Sequence, residues 1–227
     1  MTLIGRSEGA VIVPRIASNQ PQDVKNVILL GASSQTLYDL VVEKINRNIL
    51  SARNHWDSNK DGHLSIKETI IHPEAGLTVP NASLSSDNDL LSSQQWYPGI
   101  DTNNDGMINI DAELVPFASI LHSQIESDPW YQSHKHIRPT IETIENLATQ
   151  NILILQGEKD IQTTIDQALL LEQKLTELRH NDHTLITYPG LGHTFYPAKG
   201  PNELLGPIQE YVLADLYTWL KDPDRDD

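Results

Sequence analysis

Four short apolar runs punctuate the sequence, and a glycine follows each of them. The runs are residues 2–4, 27–30, 152–155 and 184–188, and the glycines are Gly5, Gly31, Gly157 and Gly190. Continuous apolar runs with abrupt glycine stops are typical of strands that are buried on both faces, as in a parallel sheet. Helical periodicity between the runs completes the pattern. The sequence therefore predicts an α/β fold with a doubly wound parallel sheet.

Three helices are predicted around these strands. One follows Ser7 and ends near residues 18–21. A second covers about 163–179, where Thr163 and Asp166 are placed to form a capping box. A third covers about 203–220, with apolar residues in helical phase. Helices of this kind would cover the two faces of the sheet.

A long middle segment breaks the strand–helix alternation. It is rich in Asp, Asn and Ser, and it carries two acidic loops that each centre on a glycine. We interpret residues 43–149 as a mainly helical insert. Residues 1–42 and 150–227 then form the first and second parts of the core domain.

The first predicted strand leads into the motif Gly5-Arg6-Ser7-Glu8-Gly9. In G-x-S-x-G the serine lies on a sharp strand-to-helix turn, and the small flanking residues let strand and helix approach closely. The motif predicts Ser7 as a nucleophile, with the Glu8 backbone N–H as an oxyanion donor. A glycine-rich turn with a surface serine is the alternative.

The last two predicted strands lead to an acid and a base. Asp160 follows the strand at 152–155, and His193 follows the strand at 184–188. Side chains at the carboxyl ends of parallel strands meet at one edge of a sheet. Asp160 would orient the imidazole, and His193 would take the proton of Ser7. A turn aspartate and a surface histidine are the alternatives.

With these residues in place, the chain resembles the C-terminal half of an α/β-hydrolase. The resemblance covers about residues 1–45 and 145–225, and the local sequences at 5–9, 156–160 and 188–195 are most similar to esterases and dienelactone-hydrolase-like proteins. It implies a small carboxylic-ester or related acyl substrate and no organic cofactor.

The resemblance also implies strands ahead of the nucleophile, which this sequence does not contain. One oxyanion donor would come from that part, and the strand at 2–4 would become an exposed edge. Three explanations stay open at this point: a truncated sequence, a partner chain or second copy that covers the edge, or a degenerate hydrolase.

The first acidic loop, residues 57–68, satisfies every position of an EF-hand calcium loop. Its glycine, Gly62, permits the sharp turn. The expected ligands are Asp57, Asn59, Asp61, the backbone carbonyl of His63, Ser65 and Glu68. Leu64 lies where paired loops form a short β-bridge. The loop predicts one bound Ca²⁺.

The second loop begins at Asp101 and has Ala112 where the last carboxylate is expected. Either Asp111 or Glu113 would have to replace it. The expected ligands are Asp101, Asn103, Asp105, the backbone carbonyl of Met107, Asn109, and Asp111 or Glu113. We predict a second, weaker Ca²⁺ here, with Ile108 pairing with Leu64. The segment resembles EF-hand and dockerin-type repeats.

Composition narrows the classes of partner. The net charge of −15 makes nucleic acid an unlikely ligand because the phosphate backbone is anionic. No apolar run is long enough to span a membrane, and the sequence leaves the compartment open. Trp130 and Tyr131, near the end of the insert, would either line an acyl pocket or pack the insert against the core.

Two functions compete on this evidence. The leading hypothesis is a serine hydrolase that acts on carboxylic esters or related acyl substrates through a Ser-His-Asp triad, with calcium stabilising residues 43–149 as an inserted cap. The alternative is a non-catalytic calcium-binding or interaction protein on a degenerate hydrolase scaffold. A dockerin-like adhesion module is disfavoured because the loops lie inside a larger α/β pattern.

Overall fold

A computed structural model of the chain describes residues 1–70, 78–79, 95–198 and 206–222. The chain forms two compact units. The first contains Met1–Leu40, Ser133–Ala198 and the described C-terminal residues, and the second contains the described residues of Val41–Gln132. None of the helices in the described ranges is long and apolar enough to cross a membrane.

The first unit is built on a parallel sheet of four strands, which lie across the sheet in the order of the chain. The fold is therefore α/β, as the sequence predicts. The strands are β1 (Thr2–Arg6), β2 (Asn26–Leu30), β7 (Asn151–Gly157) and β8 (His183–Tyr188). The helices are α1 (Glu8–Asn19), α6 (Thr140–Thr143), a 3₁₀ turn (Ile144–Asn146), α7 (Ile165–Glu177) and α8 (Glu210–Leu220). Helix α2 (Leu37–Ser51) leads out of this unit, and α5 (Pro129–Lys135) leads back into it.

The two central strands bury alternate side chains in two different cores. On β2, Val27 and Leu29 join the cluster that includes residues of α1 and α7. Ile28 and Leu30 join the other cluster, together with Val212 of α8. A strand with apolar side chains on both faces is the signature of a sheet covered on both sides. This double burial explains the continuous apolar runs of β2 and β7. The prediction of burial on both faces is wrong for β1 and β8, which lie at the edges of the sheet and are only partly buried.

Two of the three predicted helices need correction. The predicted start near 203 is wrong, because α8 begins at Glu210 and residues 206–209 are not helical. Pro207 disfavours a helical residue before it, and Ile208 packs against the core from outside the helix. Residues 203–205 lie outside the described residues. The predicted capping box is also wrong, since α7 begins at Ile165 without a side-chain cap.

The second unit contains the two acidic loops, which pair with each other. Strand β3 (His63–Leu64) runs antiparallel to β6 (Ile108–Asn109), with Leu64 opposite Ile108. The predicted bridge between the loops is confirmed. The remaining elements are π-helices at Ala52–Trp56 and Ile110–Leu114, α3 (Ile66–Ile70), β4 (Thr78–Val79) paired with β5 (Gln95–Trp96), and α4 (Val115–Ser127).

The second unit ends earlier than the predicted insert of 43–149. Residues 133–149 belong to the first unit. Ile144 and Leu147 are buried in the core cluster beside the sheet, and Ile141 packs against it. The Ile141 N–H donates to the carbonyl of Ser34 at 2.9 Å. Apolar packing on the sheet therefore outweighs the polar composition that suggested a single insert.

Candidate functional site

Ser7 occupies a strained turn between β1 and α1. Its φ of 54° and ψ of −119° lie in a region that side chains other than glycine rarely adopt. Gly5 makes the turn possible, because a Cβ there would overlap the backbone carbonyl of Gly9, whereas a Cβ at Gly9 itself would meet no atom within 4 Å. The Ser7 side chain makes no capping hydrogen bond to the helix. Backbone strain of this kind costs about 1–3 kcal/mol and is typical of functional turns.

Glu8 is the first residue of α1. The first N–H groups of a helix have no partner inside it, so the Glu8 N–H is available to an oxygen beside Ser7. The positive end of the helix favours negative charge at the same place. The Glu8 carboxylate lies 3.3 Å from Nε2 of His134, which is a buried residue of α5.

Asp160 is buried in the turn after β7 and accepts hydrogen bonds on both carboxylate oxygens. Oδ1 accepts from the backbone N–H groups of Gln162 and Thr163, at 2.8 and 2.9 Å. Oδ2 accepts from the Thr163 hydroxyl at 2.7 Å and from Gln156 Nε2 at 3.1 Å. Only 4% of the residue is exposed. These donors compensate the carboxylate for its removal from water.

His193 follows β8, and its imidazole is held at two points. Nδ1 lies 2.8 Å from Asp160 Oδ2, and because a carboxylate can only accept, Nδ1 carries the proton in this bond. The ring also packs against Gly31, where a Cβ would lie 3.1 Å from Cε1 and 3.2 Å from Nδ1. Gly31 therefore leaves the space that the imidazole fills.

The structure joins Asp160 and His193 directly and sets Ser7 at the end of β1, which β2 separates from β7. The Ser7 N–H donates to the carbonyl of Leu30 at 2.9 Å, and the next residue, Gly31, touches the imidazole. Among the contacts of the described residues there is no hydrogen bond between Ser7 Oγ and His193. Catalytic hydrogen bonds are often long or poorly aligned before substrate binds, so the serine's role stays a prediction.

Three residues of this site were missed from sequence: Gly31, Gln156 and Thr163. Gln156 left a signal, because it is a polar residue at the end of an otherwise apolar run, and it proves to be fully buried. From sequence, Gly31 indicates only the end of a strand, and Thr163 indicates only a helix cap. Their roles depend on contacts with residues that are distant in sequence.

Trp130 and Tyr131 belong to the second unit. Their rings meet edge to face with centroids 4.7 Å apart, and Trp130 is 45% exposed. The prediction that they line an acyl pocket stays a prediction.

In the first acidic loop, the predicted ligands make hydrogen bonds that hold the loop closed. Asp57 accepts from the backbone N–H groups of Asp61 and Gly62, at 3.1 and 2.9 Å. One oxygen of Glu68 accepts from Ser58, and the other accepts from Ser65. Burial opposes ionisation of Glu68, but the hydrogen bonds from Ser65 and Ser58 outweigh it and lower its pKa. Glu68 therefore clasps the two ends of the loop.

In the second loop, Glu113 makes the contacts that Glu68 makes in the first. Its two oxygens accept from the backbone N–H groups of Thr102 and Asn109, each at 2.9 Å. Only 4% of Glu113 is exposed. Asp111 instead forms an ion pair with Arg53, and four-fifths of its side chain is exposed. The π-helix Ile110–Leu114 has a wider turn than an α-helix, which accommodates the additional residue before Glu113.

Two observations on the loops point in opposite directions as to whether they can hold a cation. Among the described residues, no three His, Cys, Asp or Glu side chains come close enough together to hold a metal ion. However, Oδ1 of Asp101 is buried without a hydrogen-bond partner, while its Oδ2 accepts from the Gly106 N–H at 3.0 Å. A buried carboxylate oxygen without a donor suits a positive ion. The second loop therefore fits a cation through this oxygen, and the predicted ligands stay predictions.

Comparison with known proteins gives a distant structural similarity. No protein-family model and no curated protein matches the sequence. Similar solved structures include a monoacylglycerol lipase from Paleococcus ferrophilus (15% identity, TM-score 0.42, 96% of this chain and 66% of that one). A serine hydrolase from Cycloclasticus zankles is 15% identical, with a TM-score of 0.43 over 100% of this chain and 65% of that one. An alpha/beta hydrolase fold protein from Chitinophaga pinensis is 16% identical, with a TM-score of 0.44 over 98% of this chain and 65% of that one.

The chain thus spans about 65% of the length of those structures. Because these TM-scores are below 0.5, the proposals below depend on the residues of this chain.

Proposed function

We propose that the chain is a serine hydrolase of the α/β-hydrolase type that acts on small carboxylic esters or related acyl compounds. The observation that supports it most directly is the buried Asp160–His193 hydrogen bond, at the same edge of the sheet as the strained Ser7 turn. A surface turn without a catalytic role would require neither the buried Asp160–His193 pair nor the strained backbone at Ser7.

The proposed reaction assigns one role to each residue. Ser7 Oγ attacks the acyl carbon while His193 Nε2 takes its proton, and the imidazolium then returns that proton to the leaving group. Asp160 keeps the proton of the imidazole on Nδ1 and stabilises the positive charge that forms. The Glu8 N–H donates to the oxyanion. Water then cleaves the acyl-serine with the same acid and base.

A short aryl ester tests this proposal. Hydrolysis should disappear in Ser7→Ala and in His193→Ala, and should persist in Ser119→Ala, which changes an exposed serine on α4. A fluorophosphonate probe should label Ser7 in the wild-type protein and leave Ser7→Ala unlabelled. Equal turnover in the wild-type protein and both triad variants would reject the proposal.

A non-catalytic calcium-binding or interaction protein is the second candidate. Among the contacts of the described residues no hydrogen bond joins Ser7 Oγ to His193, and this observation favours the second candidate. A folded wild-type protein that neither hydrolyses the ester nor reacts with the probe would support this candidate.

We also propose that the second unit binds Ca²⁺ at its two paired loops. The residues that would hold it are those predicted from sequence, with Glu113 as the last carboxylate of the second loop. Bound Ca²⁺ would neutralise clustered carboxylates and stabilise the unit, by about 2.7 kcal/mol at a hundredfold excess over Kd. Isothermal titration calorimetry with CaCl₂ tests this without any measurement of activity, and no heat of binding would reject it.

The free edge of β1 supports one more proposal, a partner chain or second copy that covers it. Within the described residues β1 pairs with β2 at the edge of the sheet, and Ile4 is 53% exposed. Open strand edges favour pairing with another chain. Sedimentation should show an assembly that Ile4→Lys weakens, and a wild-type monomer at high concentration would rule out a second copy at this edge.

A further inference from the structure

Two side chains other than His193 contact the carboxylate oxygen that faces the imidazole. The Thr163 hydroxyl and the Gln156 amide both donate to Asp160 Oδ2, at 2.7 and 3.1 Å. Thr163 is 2% exposed and Gln156 is fully buried. Polar side chains are rarely buried to this degree unless their hydrogen bonds are satisfied. Oδ2 therefore lies in a closed polar network.

The orientation of the Gln156 amide follows from its partners. Its Oε1 accepts from the Ala32 N–H at 3.1 Å, while its Nε2 donates to the carbonyl of Thr163 at 2.7 Å. A flipped amide would set an oxygen against that carbonyl and against the carboxylate, and an NH₂ against an N–H. Gln156 thus ties the loop after β2 to Asp160 in a single orientation.

Thr163 lies between the acid and the base. Its hydroxyl proton goes to Asp160 Oδ2, and the same oxygen lies 3.3 Å from His193 Nδ1. The Thr163 backbone N–H holds the other carboxylate oxygen of Asp160. One residue therefore fixes both ends of the carboxylate and faces the protonated nitrogen of the imidazole.

We propose that Thr163 and Gln156 are positioning residues for the triad. They hold the carboxylate of Asp160 so that His193 keeps its proton on Nδ1 and presents Nε2 to Ser7. Neither touches the reacting atoms, so both act through Asp160. This inference rests on the proposed hydrolase function, but the state of the imidazole can be measured without turnover.

Ring ¹⁵N NMR of histidine in the folded protein reports this state directly. The wild-type protein should show His193 with its proton on Nδ1. Thr163→Val removes the hydroxyl at nearly constant shape, and Gln156→Met removes the amide. Both variants should show a mixture of the two tautomers at His193, while Thr163→Ser, which keeps the hydroxyl, should resemble the wild-type protein.

Gln167→Met is the matched control. Gln167 is also a buried glutamine that holds the loop after β2, because its Oε1 accepts from the Ser34 N–H at 3.0 Å and from the Ser34 hydroxyl at 2.6 Å. Within the described part of the chain, no hydrogen bond joins Gln167 to Asp160. The control should lose stability like Gln156→Met and still keep the wild-type tautomer.

Kinetics with the aryl ester gives the second readout. Thr163→Val and Gln156→Met should lower kcat by roughly 10- to 100-fold with little change in KM, the scale for a misplaced catalytic group. If Gln156→Met does not fold, Thr163→Val carries the test alone. The inference is overturned if Thr163→Val keeps the wild-type tautomer, or if Gln167→Met changes the tautomer equally. An inactive wild-type protein with the expected tautomers would instead count against the proposed function.

Discussion

Asp160→Asn is the most informative single substitution, because the carboxylate accepts five hydrogen bonds and an amide has one acceptor oxygen. Two of the five donors are the backbone N–H groups of Gln162 and Thr163, which cannot rotate. Of the other three donors, the Thr163 hydroxyl can rotate and His193 can change its tautomer, whereas Gln156 Nε2 is also held by the Thr163 carbonyl. The asparagine oxygen should therefore take the position of Oδ1, and its NH₂ should face the imidazole.

An NH₂ group that faces His193 forces the wrong tautomer. The imidazole must then accept at Nδ1 and carry its proton on Nε2, where it cannot take a proton from Ser7. The corresponding change in a serine protease lowers kcat by about 10⁴-fold, and we expect a loss of that order here. One buried donor, on Gln156, also loses this acceptor, which should cost about 1–3 kcal/mol of stability. For a chain of this size that lowers Tm by roughly 2–12 °C.

Asp215→Asn is the control for the same chemical change. Asp215 Oδ2 accepts from the Tyr188 hydroxyl at 3.1 Å, and an asparagine oxygen can still accept that bond. Its turnover should match the wild-type protein. Burst kinetics with the aryl ester, together with thermal unfolding followed by circular dichroism, measure both quantities. A folded Asp160→Asn variant with wild-type kcat would refute the reasoning, as would an equal loss of activity in the control.

Three further substitutions or conditions test other parts of the structure. Gly31→Ala should lower turnover by about tenfold, because the new Cβ displaces His193. Gly99→Ala is the control: Gly99 also has a positive φ but open space around it, so this variant should lose only the stability that the backbone strain costs. Calorimetry should show weaker Ca²⁺ binding in Glu113→Gln, and nearly unchanged binding in the exposed Asp111→Asn. Burial opposes ionisation of Glu113, but hydrogen bonds, chiefly from the Asn109 backbone, lower its pKa below the ordinary 4.5. The stability that ionised Glu113 contributes should therefore be present above pH 4.5 and lost as the pH falls further. Tryptophan fluorescence would detect this loss, and the loss should be smaller in Glu113→Gln.

The sheet could be predicted from sequence because its signal is local. Each apolar run lies within one strand, and the strands extend at most two residues beyond the runs at either end. In β2 and β7 burial on both faces removes the alternation of polar residues. The glycines at the ends of the runs in β1 and β7, Gly5 and Gly157, lie where another part of the backbone approaches closely. At Gly157, for example, a Cβ would lie 2.5 Å from the backbone oxygen of Leu191.

The capping-box prediction failed because Thr163 has a competing partner in the folded chain. Thr163 has the right spacing for a helix cap with Asp166, but its hydroxyl bonds to Asp160 instead. A hydrogen bond to a buried charge is stronger than a neutral cap at an exposed helix start. The sequence shows that a threonine is available, but it does not show that the carboxylate of Asp160 is buried beside it.

The choice between Asp111 and Glu113 could not be made from sequence for a different reason. The loop pattern assumes a regular turn after position nine, and by that rule both residues miss the required position. A π-helical turn at 110–114 shifts the register by one residue, so that Glu113 reaches the N–H groups of Thr102 and Asn109. Ile110 and Leu114 are buried in the core of the second unit. The packing of these two side chains thus favours the wide π-helical turn, and this turn places Glu113 rather than Asp111 where it contacts both ends of the loop.

The same dependence on packing applies to the proposed active site. Ser7, Asp160 and His193 can be found from local motifs, since each follows a strand. The space that admits the imidazole depends on Gly31, and the orientation of the acid depends on Gln156, which bonds to Ala32 across 124 positions of sequence. A chain could keep all three motif residues and lose these supports without any change in the motifs. Activity in such a chain would therefore depend on Gly31 and Gln156 as well as on the triad. Substitutions at these two positions should show whether the triad is catalytically active.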